Sequence, residues 1–271
     1  KTAYEIRLSL VGSEMCIRDR EDIAQLRSDV EALEEELLRL QASAFEQEGN
    51  SVRQFLGDGN RQYLSGLFLG GQRILILLDS SASMLDSTIV NIIRTRNMDD
   101  DRKRSSLKWQ RVVNTVDWVS TQLPITSQYQ IWSFNTSYAS IIPETEDTWL
   151  EAADREQLND AIENVKNLVP ENGTNMTQIF RAVANMSPPP DNIFLITDGL
   201  PTLGDRNNSD SLVTPSERLE LFEEAVEELS PGTPINVILM PLEGDPSAAA
   251  AYWQLAQYTK GSFLTPSQDW P

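Results

Sequence analysis

The sequence predicts an α/β protein with a doubly wound, mostly parallel central sheet flanked by helices, preceded by a short N-terminal coiled-coil helix. Three observations carry this expectation. From Arg73 onward, short apolar runs alternate with amphipathic segments of helical period, the pattern of a parallel sheet covered on both faces. The runs ILILL (Ile74–Leu78), NIFLIT (Asn192–Thr197) and INVILM (Ile235–Met240) are unbroken, so each reads as a central strand. Upstream, Ile23, Leu26, Val30, Leu33, Leu37 and Leu40 recur at steps of three and four among glutamates, the seam of a coiled coil.

Taken in order, residues 1–20 read as a non-native or disordered segment, resembling a translated sequencing adapter. Residues 21–48 form the coiled-coil helix, stopped by Gly49-Asn50. With about three heptads it is near the lower limit for independent stability, and serves either as a stalk or dimerising helix or as a helix packed on its own domain. Residues 49–72, with Gly57, Gly59, Gly70 and Gly71, are a linker. Residues 73–265 are the folded domain and 266–271 a tail.

Within the domain, Ser106–Leu123 is a helix whose inner side carries Leu107, Val112, Val113, Val116, Val119 and Leu123. Tyr129–Phe134 is a strand with Tyr138–Ile142 as its hairpin partner. Helices follow at Arg155–Leu168 and Thr177–Met186, the second leading through the stiff Ser187-Pro188-Pro189-Pro190 connector into NIFLIT. Ser216–Leu229 and Ala248–Tyr258 are helices, and Gly261–Leu264 is a short last strand. The six tryptophans fall mostly inside these elements and read as core.

Composition excludes several chemistries. The formal net charge of −19 argues against a nucleic-acid partner, which needs clustered Lys and Arg. With no histidine, neither Ser-His-Asp nor Cys-His catalysis is available, nor an imidazole zinc site. Cys16 is alone, so there is no internal disulfide and no CxxC site. A bound metal must then be held by oxygen, which selects Mg²⁺, Mn²⁺ or Ca²⁺. No stretch reaches the roughly 18 apolar residues of a membrane helix.

Three elements fall at the carboxyl ends of expected strands, where doubly wound sheets bind ligands. Directly after ILILL comes Asp79-Ser80-Ser81-Ala82-Ser83, a D-x-S-x-S element. Asn172-Gly173-Thr174 precedes the helix at Thr177, and Thr197-Asp198-Gly199 ends NIFLIT. In isolation each reads equally as a turn or helix cap. Between Met84 and Ser106 lies an insert with an apolar patch (Ile89, Val90, Ile92, Ile93), the acid run Asp99–Asp101 and the basic cluster Arg102–Arg104. It leaves the D-x-S-x-S loop and so should border it, either shaping the choice of partner or serving only as a solvated loop with an extra helical turn. No Ca²⁺-loop spacing surrounds the acid run.

Together, from about Arg73 to Phe263, these motifs and the order of the elements resemble the von Willebrand factor A domain with its metal-ion-dependent adhesion site. The resemblance implies a metal set of Asp79, Ser81, Ser83, Thr174 and Asp198, with Thr177 an alternative to Thr174. It implies Mg²⁺, with Mn²⁺ or Ca²⁺ as alternatives, and a protein partner whose Asp or Glu completes the ion's coordination. The insert departs from the family's usual short link.

The expected function is therefore metal-dependent protein–protein binding, with self-association through residues 21–48, a membrane anchor upstream, and the cell envelope favoured over the cytoplasm. The alternative is an adaptor subunit of an AAA+ ATPase or a cell-envelope assembly. The chain has no GxxxxGK[ST] loop and is not the motor itself. Enzymatic activity is not expected. Ser81 stands where a phosphatase built on Asp79 would place its second carboxylate, and no S-x-x-K is present there.

Overall fold

The computed structural model describes residues 67, 70–205, 213–267 and 270. The coiled-coil helix expected over residues 21–48, and the segment before it, lie outside these. Seven strands form one sheet: β1 Arg73–Asp79, β2 Gln128–Phe134, β3 Tyr138–Ser140, β4 Leu150–Glu151, β5 Asn192–Thr197, β6 Ile235–Leu239 and β7 Phe263–Leu264. Their order is β3-β2-β1-β5-β6-β7, with β4 also on β2. The pairs β1–β2, β1–β5, β5–β6 and β6–β7 are parallel, while β3 and β4 run antiparallel to β2.

The helices are α1 Ile89–Thr95, α2 Asp100–Arg104, α3 Leu107–Thr121, α4 Arg155–Asn167, α5 Met176–Ala184, α6 Pro215–Glu227 and α7 Ala248–Thr259. Successive side chains of a strand point to opposite faces, so β1 feeds two cores at once. Ile74, Ile76 and Leu78 join Trp109, Val112, Val116 and Ile162 on one face. Leu75 and Leu77 join Ile179, Phe180, Phe222 and Tyr252 on the other. The five side chains of ILILL have no exposed surface at all, which is why the run is unbroken by polar residues. At about 2 kcal/mol per fully buried aliphatic side chain, β1 contributes on the order of 10 kcal/mol of gross burial.

Helix starts follow from capping side chains. Asp154 accepts from the Gln157 amide at 3.0 Å to open α4, and Asn175 from the Gln178 amide at 3.2 Å to open α5. Thr214 and Glu217 form a reciprocal box at α6.

Three sequence expectations are corrected. The 84–106 insert is more ordered than a solvated loop: a 3₁₀ turn over Ala82–Leu85 leads into α1 and α2. Its charge run is a self-capped helix, with Asp99 accepting from the Arg102 amide at 2.9 Å. Acids lie at its amino end and bases at its carboxyl end, paired Asp100–Lys103 and Asp101–Arg104, as the helix dipole favours. Secondly, Leu107 does not face inward: it is 85% exposed. Lys108 takes its place on the buried stripe, in step with Val112, Val116 and Val119. Thirdly, β4 was not foreseen, because two residues carry no periodicity. Of the tryptophans, Trp109, Trp118, Trp132 and Trp270 are buried as expected, whereas Trp253 is half-exposed on α7.

The chain runs from β1 outward to β2 and β3, then returns to β5 on the other side of β1. The carboxyl ends of β1 and β5 thus flank the topological switch point, where the loops on either side diverge and leave a crevice.

Candidate metal centre

Asp79 is the last residue of β1 and is fully buried. Both carboxylate oxygens are engaged. Oδ1 accepts from the Ser81 amide at 2.9 Å, which curls the loop back over the strand end, and Oδ2 accepts from the Thr197 hydroxyl at 2.8 Å. Thr197 closes β5, so this bond ties the two strand ends across the switch point. Burial, and then the nearby Asp198 carboxylate, push the Asp79 pKa up to about 7 against the pull of its hydrogen bonds from Ser81 and Thr197.

A chain of hydroxyls leads from there to the third loop. Ser81 Oγ and Ser83 Oγ lie 2.9 Å apart, and Ser83 Oγ donates to Asp198 Oδ1 at 2.8 Å. Since Ser83 has one hydroxyl proton and gives it to Asp198, Ser81 is the donor in the first contact. Ser81 and Asp198 are buried, and Ser83 is half-buried. Four of the five expected residues are therefore joined by hydrogen bonds into one cluster.

Thr174, the fifth, is placed by its main chain. Its carbonyl accepts from the Thr202 and Leu203 amides, both at 3.0 Å, and its amide donates to Thr202 Oγ1 at 3.0 Å. The turn before it needs both of its residues. Asn172 has φ 66°, left-handed space that asparagine tolerates. A Cβ on Gly173 would stand 2.7 Å from Thr202 Oγ1. Thr177 is buried in the first turn of α5, a helix capped by Asn175.

Main-chain hydrogen bonds stitch the loops to one another. Ala82 N donates to Asn172 O at 3.0 Å and Glu171 N to Ser80 O at 2.9 Å, joining the first loop to the second. Ser80 N donates to Phe134 O at 2.8 Å and Asn175 N to Asn135 O at 2.7 Å, fastening both to the end of β2.

Sequence reasoning quoted Thr197 within its strand-end motif without giving it a role, and missed Lys108, Asp245 and Arg218. The Lys108 ammonium donates to Asp198 Oδ2 at 2.5 Å, to Ser83 O at 3.0 Å and to Asp86 O at 3.1 Å. Its signal was present: a lysine in register with an apolar stripe has to satisfy its charge inside. Asp245, just before α7, accepts from the Leu200 amide at 2.7 Å and pairs with Arg218 at 2.9 Å. Arg218 in turn donates to Leu200 O. Together they brace the third loop, and no local motif marks residues this far apart in sequence.

The donor set fits a hard divalent cation. It offers hydroxyls and two carboxylates, and among the described residues no group of three or more Asp, Glu or Cys side chains is assembled as a metal site. Oxygen ligands of low total charge suit an ion that keeps its own waters. Asp79, Ser81, Ser83, Thr174 and Asp198 are the residues that would hold it. Among the described residues, the one positive charge in hydrogen-bond contact with the cluster is Lys108.

At the rim, α1 exposes Ile89, Val90 and Ile93 to solvent. It is anchored beside the loop after β6, where Glu243 N donates to Ser87 O at 2.7 Å and Gly244 lies against Ile89.

A family model for the von Willebrand factor type A domain matches residues 74–200. No curated protein sequence matches the chain. Among solved structures, a von Willebrand factor type A protein from Catenulispora acidiphila is 15% identical with a TM-score of 0.46, covering 73% of this chain and 39% of that one. The conserved hypothetical protein BatB from Bacteroides thetaiotaomicron is 16% identical with a TM-score of 0.42, covering 72% and 89%. Proximal thread matrix protein 1 from the mussel byssus, with a zinc-occupied MIDAS motif, is 15% identical with a TM-score of 0.39, covering 73% and 44%. The chain thus spans less than half the length of the first and third of these proteins.

Proposed function

Since this chain carries a von Willebrand factor type A domain over residues 74–200, we propose that it is a metal-dependent protein-binding module whose adhesion site is built by Asp79, Ser81, Ser83, Thr174 and Asp198. The observation that carries the reading is the continuous contact from Ser81 through Ser83 to Asp198, closed behind by Asp79 and Thr197. These are oxygen donors from loops distant in sequence, gathered at one crevice. A bound Mg²⁺, or Mn²⁺ or Ca²⁺ in its place, supplies a Lewis-acidic centre able to accept a carboxylate from a partner's Asp or Glu. Asp79 and Asp198 supply the two carboxylates, with Lys108 offsetting one of their charges, while Ser81 and Ser83 offer neutral lone pairs.

Among the described residues around the site, Asp79 is held by the Ser81 amide and the Thr197 hydroxyl, and we read the role of these side chains as binding and orienting. No histidine exists in the chain, and Lys108 is already committed to three acceptors. We therefore read the domain as non-catalytic. The exposed apolar residues of α1 at the rim supply contact area beside the ion.

Isothermal titration with MgCl₂ tests the reading. Wild type should bind one equivalent, and Ser83→Ala and Asp198→Asn, each checked for native circular dichroism, should bind at least tenfold more weakly. Equal heats from all three proteins would end it. The apolar repeat among glutamates over residues 21–48 supports a self-associating stalk at the cell envelope, which sedimentation velocity and fractionation of the native host test. Among the described residues no helix is long and apolar enough to cross a membrane.

A further inference from the structure

Lys108 is 4% exposed and its ammonium reaches the cluster from the first turn of α3. All three of its protons are used, on Asp198 Oδ2, on Ser83 O and on Asp86 O. Two of those acceptors are carbonyls of the segment that follows the D-x-S-x-S aspartate, and the third is the carboxylate of the opposite loop. One side chain thus neutralises Asp198 and clamps the first loop against the third. A buried ammonium is costly unless it is paired and fully hydrogen-bonded, and here it is both. Asp198 Oδ1 meanwhile takes the Ser83 proton, so both oxygens of this carboxylate are occupied by the protein's own donors.

We propose that Lys108 is a built-in counter-cation of this site, holding the metal-free state together and setting the affinity with which a divalent ion enters. The inference rests on the metal-site reading above. A dication drawn to Asp198 meets a fixed positive charge on the same carboxylate, at low exposure, where water screens the repulsion poorly. The ion must therefore displace the ammonium from Asp198 or bind against it. A neutral side chain at position 108 should remove that opposition while withdrawing the clamp.

The experiment compares wild type, Lys108→Gln, Lys108→Arg and the charge-balanced double variant Lys108→Met with Asp198→Asn. Melting temperature is recorded in EDTA and across a MgCl₂ series, with MnCl₂ in parallel. A ligand that binds only the folded state raises stability with its concentration over Kd, so affinity is readable even for a variant that is marginal without metal. Lys108→Gln should melt lower than wild type in EDTA yet gain more from Mg²⁺, with an apparent affinity roughly tenfold or more above wild type. Lys108→Arg, keeping the charge, should stay near wild-type affinity. The double variant should recover stability in EDTA and show no Mg²⁺ shift.

Wild-type binding of Mg²⁺ with equal or weaker binding by Lys108→Gln would overturn the inference and leave the adhesion-site reading standing. Failure of both wild type and Lys108→Gln to respond to either metal would overturn both.

Discussion

Replacing Asp79 with asparagine and following stability against pH probes the floor of the crevice directly. Asp79 is fully buried, and its pKa is pushed from the ordinary 3.8 up to about 7. Between those values the folded chain holds a proton that the unfolded chain has released. Unfolding is then favoured progressively as pH rises through this window, and the loss is complete above about 7. Three pH units at about 1.4 kcal/mol each amount to on the order of 4 kcal/mol. For a domain of this size that corresponds to roughly 8–16 °C in Tm. Asparagine reproduces the neutral acid: its oxygen can accept from the Ser81 amide, and its NH₂ can face the Thr197 hydroxyl. The assay is urea unfolding in EDTA at pH 5, 6, 7 and 8. Wild type should lose stability across the series while Asp79→Asn stays nearly level apart from the background of other groups. Parallel slopes for the two proteins would refute the argument, because the slope would then originate elsewhere.

Three further substitutions test the supports of the loops. Asp245→Ala strips the Leu200 amide and Arg218 of a partner whose side chain is 2% exposed, and should cost about 3–5 kcal/mol in urea unfolding. Gly173→Ala forces a Cβ to 2.7 Å from Thr202 Oγ1, which should cost roughly 1–3 kcal/mol and weaken Mg²⁺ binding by shifting Thr174. Tyr252→Phe removes the 2.8 Å hydrogen bond to Gly199 O inside the core, for a loss of about 1–3 kcal/mol with no change in sheet content by circular dichroism.

Much of this architecture was legible in the sequence because burial on both faces leaves no polar residue in a central strand. ILILL and NIFLIT could be assigned from that alone, and the loops after them followed. What stayed hidden was set by partners distant in sequence. The register of Lys108 with the apolar stripe hints that it is buried, but its partner Asp198 is 90 residues away and no local pattern names it. Leu107 reads as core because it is the first apolar residue of a helix rich in inward valines, yet the stripe actually runs from Lys108 through Val112 and Val116. Asp245 lies just before α7 and Arg218 within α6, and they meet only when the third loop is folded. Short β4 depends on pairing with β2 rather than on any pattern of its own.

The bond from Thr197 to Asp79 has a consequence for how the crevice breathes. Its two residues end strands whose side chains fill both cores, so their surroundings open only when the whole domain does. Helices α1 and α2, by contrast, bury none of their residues and can fray at small cost. Deuterium uptake should therefore separate into two populations, slow at the crevice base and fast at its border. A border that exchanges freely can be remodelled by mutation for new contacts without endangering the platform beneath it.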